Sequence, residues 1–271
     1  MIPFDYIVEW RKSAPWAADS QVEQDLVIHR ALVCLFGEPE VARSMAFRGG
    51  TALYKLHLRP PARFSEDIDL VQTSPGPIGT VLDSIRRSLD PWLGAPKRDL
   101  KEGRVVLIYR FLSEDRHPLP LRLKVEINSR EHFSVLGFEE RPLDMESRWF
   151  NGSASVRTYR LEELLGTKLR ALYQRKKGRD LFDLHMASCR SAVDPAAMVH
   201  CLLRYLEHDE RSISRAEFEE NLAEKLVDKV FMGDVAPLVA PGFEWSMEDA
   251  ARYVLEEVVP LMPGEPWKGR E

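Results

Sequence analysis

The sequence predicts an α+β fold in two parts: a mixed β-sheet flanked by helices over residues 1–155, then a helical domain over 156–271. Three observations carry this. Leu121 to Asn128 alternates without a break, with Leu121, Leu123, Val125 and Ile127 on one face and Arg122, Lys124, Glu126 and Asn128 on the other, which is the period of a half-buried strand. After Gly152 the apolar spacing changes to a helical period. The chain has 271 residues, 44% hydrophobic and 30% charged, enough for two cores and too apolar for wholesale disorder.

The elements follow in order. Residues 1–18, polar and aromatic with two prolines, read as a loosely packed arm or a short helix. Ser20-Gln21-Val22-Glu23 is a capping box opening a helix that runs to Gly37. Ala52 to Leu56 starts a second helix, broken at Pro60-Pro61. Phe64 to Val71 alternates as a strand, Val81 to Leu89 suits a helix and Val105 to Leu112 another strand. Beyond the Leu121 strand, helices are predicted over 161–175, 180–187, 195–206, 215–230 and 247–259, with Pro260, Pro263 and Pro266 ending the fold.

Composition removes several function classes. No apolar run approaches the roughly 18 residues of a membrane span. The start, Met1-Ile2-Pro3-Phe4-Asp5, has neither the basic nor the apolar region of a signal peptide. Cys34, Cys189 and Cys201 are far apart and odd in number, which argues against a disulfide framework and against zinc-ligand spacing. A cytoplasmic, reduced protein with no membrane association is expected. The seven histidines show no ligand spacing.

Net charge is −5, unevenly distributed. Leu206 to Glu271 carries −9 and the rest of the chain +4. Lys168 to Arg179 holds Lys168, Arg170, Arg175, Lys176, Lys177 and Arg179 with no acid among them. Such a stripe suits a phosphate-bearing ligand or, as readily, a solvated helix end.

The chemistry gathers around Asp67-Ile68-Asp69. On a strand, positions two apart project to the same side, so both carboxylates point together while Ile68 and Leu70 face the core. Adjacent like charges need neutralising, and magnesium, with manganese as the alternative, takes hard oxygen ligands while bridging carboxylates to phosphates. Upstream, with fifteen residues between Thr51 and Asp67, Gly49-Gly50-Thr51 precedes a helix start. Paired glycines let the backbone approach a phosphate, helix-start N–H groups favour one, and Thr51 adds a hydroxyl. Glu126, on the polar face of the Leu121 strand, would be a third carboxylate for two metal ions, or else a surface residue paired with Lys124 or Arg122. Lys168, flanked by Leu165, Leu169 and Leu172, either points into a partly buried cleft toward an anion or snorkels. Asp180 could pair with Lys168 or Arg48, position a substrate hydroxyl, or cap a helix after Gly178.

Taken in this order, Val22-Glu23-Gln24-Asp25-Leu26, Phe47-Arg48-Gly49-Gly50-Thr51-Ala52-Leu53, Arg63-Phe64-Ser65-Glu66-Asp67-Ile68-Asp69-Leu70, Thr167-Lys168-Leu169-Arg170-Ala171-Leu172 and Lys177-Gly178-Arg179-Asp180-Leu181-Phe182-Asp183-Leu184 resemble the motifs of the nucleotidyltransferase superfamily. More narrowly, they are similar to the AbiEii/AbiGii-type toxins of bacterial toxin–antitoxin and phage-defence systems. The resemblance covers about Val22 to Leu184. It implies a nucleotidyltransferase-like mixed sheet followed by a helical domain that contributes Lys168 and Asp180 to the cleft. It also implies transfer of a nucleoside monophosphate from an NTP to RNA, above all the 3′ end of tRNA, which blocks translation; a protein or small-molecule acceptor, or a non-catalytic nucleotide- or RNA-binding role, is the alternative. By position, Gly49, Gly50, Thr51 and Ser65 imply nucleotide binding, Asp67 and Asp69 metal binding with Glu126, Lys168 phosphate contact, and Asp180 the late motif aspartate. Arg170, Arg175, Lys176, Lys177 and Arg179 would grip an RNA backbone. A cognate antitoxin would be encoded separately. Gly-Thr stands where the superfamily commonly has Gly-Ser, with a longer spacing to the aspartates.

Overall fold

The strand bearing the two aspartates is a central one. The computed structural model describes residues 2–114 and 117–269. Its first compact unit, Met1–Ser134 with Phe138–Tyr159, is built on a seven-stranded sheet. In chain order this unit contains α1 (Phe4–Trp10), α2 (Asp19–Gly37), α3 (Pro39–Ser44), β1 (Met45–Arg48), α4 (Gly49–Ala52), β2 (Asp67–Gln72), α5 (Gly79–Leu93), β3 (Lys97–Lys101), β4 (Arg104–Leu112), β5 (Pro120–Asn128), β6 (Phe138–Glu146) and β7 (Asn151–Tyr159). The sheet order is β3-β4-β5-β2-β1-β7-β6. β2 pairs antiparallel with β1 and parallel with β5, so it is hydrogen-bonded on both edges. Its Ile68 and Leu70 are buried, together with Leu123, Val125 and Ile127 of β5.

α2 is buried along most of its length, which explains its polar core residues. Gln24 Nε2 donates to the Arg122 carbonyl at 2.9 Å. Asp25 accepts from Lys55 Nζ at 2.6 Å and from Trp10 Nε1 at 2.9 Å. His29 is pushed down to about 3, chiefly by burial and then by Lys55, so it is neutral; its Nε2 lies 3.0 Å from the Asp144 carbonyl, which can only accept, and therefore carries the proton. These groups fasten α1, α2, the wide π-type turn Leu53–His57 and β6 to one another.

The second unit, Val135–Gly137 with Arg160–Glu271, is helical: α6 (Leu161–Gln174), α7 (Gly178–Arg190), α8 (Pro195–His208), α9 (Arg215–Leu226), α10 (Lys229–Gly233) and α11 (Met247–Tyr253). α6 packs on α8 at Gly166, where a Cβ would meet Cys201 and the Met198 carbonyl within 2.8 Å, so only glycine allows the approach. Glu163, fully buried, accepts from the backbone N–H groups of Val135 and Leu136 at 2.8 and 2.9 Å and from the Tyr205 hydroxyl at 2.9 Å.

Several expectations are corrected. Of the two readings of residues 1–18 the short helix holds, as α1 (Phe4–Trp10), and the segment is not loosely packed: Ile7 and Trp10 in the helix and Ala14 and Trp16 after it are buried. α2 starts at Asp19, and the side chain that caps it is Gln21, accepting from Ala18 N, in place of Ser20 and Glu23. The change to helices comes after Tyr159 because β7 continues through the small residues after Gly152. The helix expected over 215–230 is two: Asp228 accepts from Val230 N and Phe231 N at 2.9 and 3.1 Å and restarts the chain as α10. Among the described residues no helix is long and apolar enough to cross a membrane.

Candidate active site

Parallel pairing of β2 with β5 sets Asp67 opposite Lys124 and Asp69 opposite Glu126. Antiparallel pairing with β1 sets Arg48 opposite Asp69. Three carboxylates and two cations therefore share one face of three adjacent strands, as the alternation in β2 and β5 requires. Asp69 is pushed up to about 6, by burial first and then by Asp67, with Glu126 adding to it; Arg48 and Lys124 act in the opposite direction. Its carboxylate lies in a field of like charge that an added cation would relieve.

Gly49 opens α4 directly above this pair. Its φ is +83°, and a Cβ there would overlap Asp69 Oδ2 well inside van der Waals contact. Backbone and carboxylate approach this closely only because Gly49 has no side chain. At Gly50 a Cβ would meet the Arg63 guanidinium and, at 3.1 Å, Ser65 Oγ. Arg63 is almost fully buried beneath the turn; its Nη1 donates to the Phe64 carbonyl at 3.0 Å and its guanidinium faces the Tyr54 ring. Thr51 is 2% exposed. Its Oγ1 lies 2.6 Å from the Asp67 carbonyl and 2.9 Å from Ser65 Oγ. A carbonyl only accepts, so the single Thr51 proton goes there. Thr51 thus ties the glycine turn to β2, and the expected hydroxyl donor for phosphate is committed inside the protein.

Glu126 is where the geometry departs furthest from the expected trio. Arg104 grips its carboxylate with two bonds at 2.7 and 2.8 Å, and Lys124 Nζ lies 2.9 Å from it and 3.2 Å from Asp67 Oδ2. Held first by Arg104, Glu126 is lowered to about 2. Among the described residues no three His, Cys, Asp or Glu side chains form a ready metal-ligand set. The donor chemistry of Asp67 and Asp69 fits a hard divalent cation; Glu126 would have to leave Arg104 to join them.

The later motif lies within the second unit. Lys168 Nζ is 3.2 Å from Asp180 Oδ1 and 2.9 Å from Asp183 Oδ2, both aspartates being 0% exposed. Arg175 adds two bonds to Asp180 at 2.7 and 2.8 Å. Asp180 therefore serves the Lys168 pairing and caps no helix, since the N-cap of α7 is Lys177. The five cations expected to grip RNA are also engaged. Arg170 meets Asp209 at 3.4 Å and stacks on Tyr205, Arg175 holds Asp180, and Lys176 meets Asp228 at 3.0 Å. Lys177 and Arg179 converge on Asp234 at 3.4 and 2.9 Å.

Sequence reasoning passed over Arg63 and Arg104, and weighed Arg48 as a partner of Asp180, whereas it stands opposite Asp69. Arg63 sits inside a quoted motif with no pattern marking it as a charged partner. Arg104 is visible only once β4 is paired with β5.

Comparison with known proteins identifies the family. Residues 30–252 match the family model described as nucleotidyl transferase AbiEii toxin, type IV toxin–antitoxin system. Among solved structures, MenT4, a nucleotidyltransferase toxin from Mycobacterium tuberculosis H37Rv, superposes with a TM-score of 0.68 at 17% identity, covering 94% of this chain and 89% of its own. JHP933 from Helicobacter pylori gives 0.54 at 18% identity, covering 90% and 92%. No curated protein matches the sequence. Both structural likenesses speak to the fold, while the family model covers most of the chain. The chain belongs to the AbiEii nucleotidyltransferase toxin family and is a nucleotidyltransferase.

Proposed function

We propose that this enzyme transfers a nucleoside monophosphate from an NTP to an RNA acceptor, the 3′ end of tRNA above all, in a reaction dependent on magnesium or manganese, and that it thereby blocks translation. The observation carrying this reading is the juxtaposition of Gly49 with Asp69 on a face shared by Asp67, Glu126, Arg48 and Lys124. Asp67 and Asp69 would hold the divalent cation, which when bound neutralises triphosphate charge and favours attack by a hydroxyl. Gly49 and Gly50 present backbone to the triphosphate, with Arg63 behind them as fixed positive charge. Ser65 and Thr51 hold that turn on β2. Lys168, held by Asp180 and Asp183, is assigned to phosphate contact, and Asp180 to fixing its position. Of the basic stripe, Lys176 and Lys177 have side chains 64% and 46% exposed and are able to exchange a carboxylate for an RNA phosphate, whereas the comparably exposed Arg175 is bound to the buried Asp180. A separately encoded antitoxin accords with membership of a toxin–antitoxin family.

The test is label transfer with purified enzyme, magnesium, each α-labelled NTP in turn and total tRNA. Label on tRNA is expected with the wild type and none with Asp67→Ala or Asp69→Ala, both folded. Label on protein with none on RNA would replace the RNA reading with nucleotidylation of a protein acceptor.

A further inference from the structure

The five cations of the α6–α7 region are each held by a carboxylate, whereas the site's own face of the sheet carries cations that are less engaged. That face continues from Asp67 toward β4. On β5, Arg122 stands two residues before Lys124 and projects to the same side, about 6.6 Å away along the strand. On β4, Arg110 is directly opposite Arg122 in the antiparallel register. Like charges in this position repel. Arg110 is exposed and has no hydrogen-bond or ion-pair partner among the described residues. Arg122 reaches Glu66 only at 3.8 Å, with side chains 60% and 47% exposed, an ion pair easily exchanged.

These two arginines line a groove of about 590 Å³ at the start of β2 and β5. Gln24 and Glu66 supply its other polar walls, and Phe111, Leu112 and Leu121 its apolar ones. Lys124, the residue opposite Asp67, is the next position on the same face of β5 after Arg122, so the arginines of the groove share the face of the first aspartate. The cations run in a line, Arg110 and Arg122 first, then Lys124, then the carboxylate pair. A row of positive charge that ends at a nucleotidyl-transfer site suits a polyanion whose own terminus is the reacting group. Single-stranded nucleic acid has that form, with phosphates for the arginines.

We propose that the groove lined by Arg110 and Arg122 binds the phosphate backbone of the RNA acceptor next to its 3′ end and leads that end to Asp67 and Asp69. The proposal rests on the RNA-acceptor reading above. Its test compares wild type with Arg110→Gln/Arg122→Gln, an exposed pair whose loss leaves the core untouched. Anisotropy of fluorescent tRNA across a potassium chloride series and steady-state transfer kinetics are the readouts. In the double variant we expect binding about tenfold weaker, a logarithmic salt slope shallower by about 2, a KM for RNA raised in proportion and a KM for NTP unchanged. If the wild type labels RNA while the double variant keeps its salt slope and its KM for RNA, the groove is overturned and the RNA reading stands. If the wild type neither binds nor labels RNA and labels protein, the reading fails, and the groove with it.

Discussion

The Asp69 carboxylate occupies the space that a side chain on Gly49 would need. The two residues come from neighbouring strands, with Gly49 following β1 and Asp69 lying on β2, and each fixes the other: the positive φ of the glycine bends its backbone over the carboxylate, and the carboxylate excludes every larger residue.

Gly49→Ala is therefore expected to act twice. A left-handed alanine costs about 1–2 kcal/mol, visible in urea denaturation. The displaced Asp69 lowers transfer on the order of a hundredfold. Gly50→Ala meets the flexible end of Arg63 and should be milder on both counts. Transfer rates within threefold of wild type for Gly49→Ala would show that Asp69 needs no such close backbone.

Asp69→Asn should separate stability from activity. It removes one charge from a site where Asp67 and Glu126 repel it. Without added divalent cation at neutral pH, the variant is expected to melt above the wild type, by about 1–2 kcal/mol of stability, while transferring nothing. A lower melting temperature would mean that Arg48 and Lys124 outweigh the repulsion.

His29 sets a pH dependence remote from the chemistry. Its folded-state pKa, about 3, lies below the ordinary 6.5, so in between the unfolded chain binds a proton that the folded one refuses. Stability from this group is complete above pH 6.5 and declines as pH falls toward 3, by about 3 kcal/mol between pH 6.5 and 4. Denaturation at pH 7 and pH 4.5 should show a smaller loss for His29→Gln than for wild type. Equal losses would place the acid sensitivity elsewhere.

Lys168, Asp180 and Asp183 should behave as a unit. Lys168→Met removes the ammonium that both buried carboxylates meet, and is expected to cost about 3–5 kcal/mol. Adding Asp183→Asn should recover part of that, a coupling of at least 1 kcal/mol in a double-mutant cycle. Additive losses would mean that the Lys168–Asp183 contact contributes little.

What the sequence reveals here follows from range. β2 and β5 alternate within single segments, so the convergence of Asp67, Asp69 and Glu126 follows from period two and a guess at adjacency. β1 offers no alternation, because Met45, Ala46 and Phe47 are all buried. β7 begins with the small polar run Asn151-Gly152-Ser153, and β6 carries Pro142, so neither has a strand signature of its own. The basic stripe misleads for a related reason. Asp209, Asp228 and Asp234, the acids that pair with Arg170, Lys176, Lys177 and Arg179, lie tens of residues away and reach them only through the packing of the helices. Arg104, the strongest hold on Glu126, likewise comes from another strand.

The path of the chain at Val135–Gly137 limits how the gene can be divided. After Ser134 the backbone spends three residues in the helical unit, returns for the β6–β7 hairpin and leaves at Arg160. A fragment stopping at Ser134 lacks the two strands beyond β1. One stopping at Tyr159 keeps Val135 and Leu136 but loses Glu163, which receives their amides. Neither cut yields a self-sufficient half, so split reporters and fragment complementation will require the two pieces to be synthesised together, and insertions are better directed to surface turns such as Gly94 or Gly242.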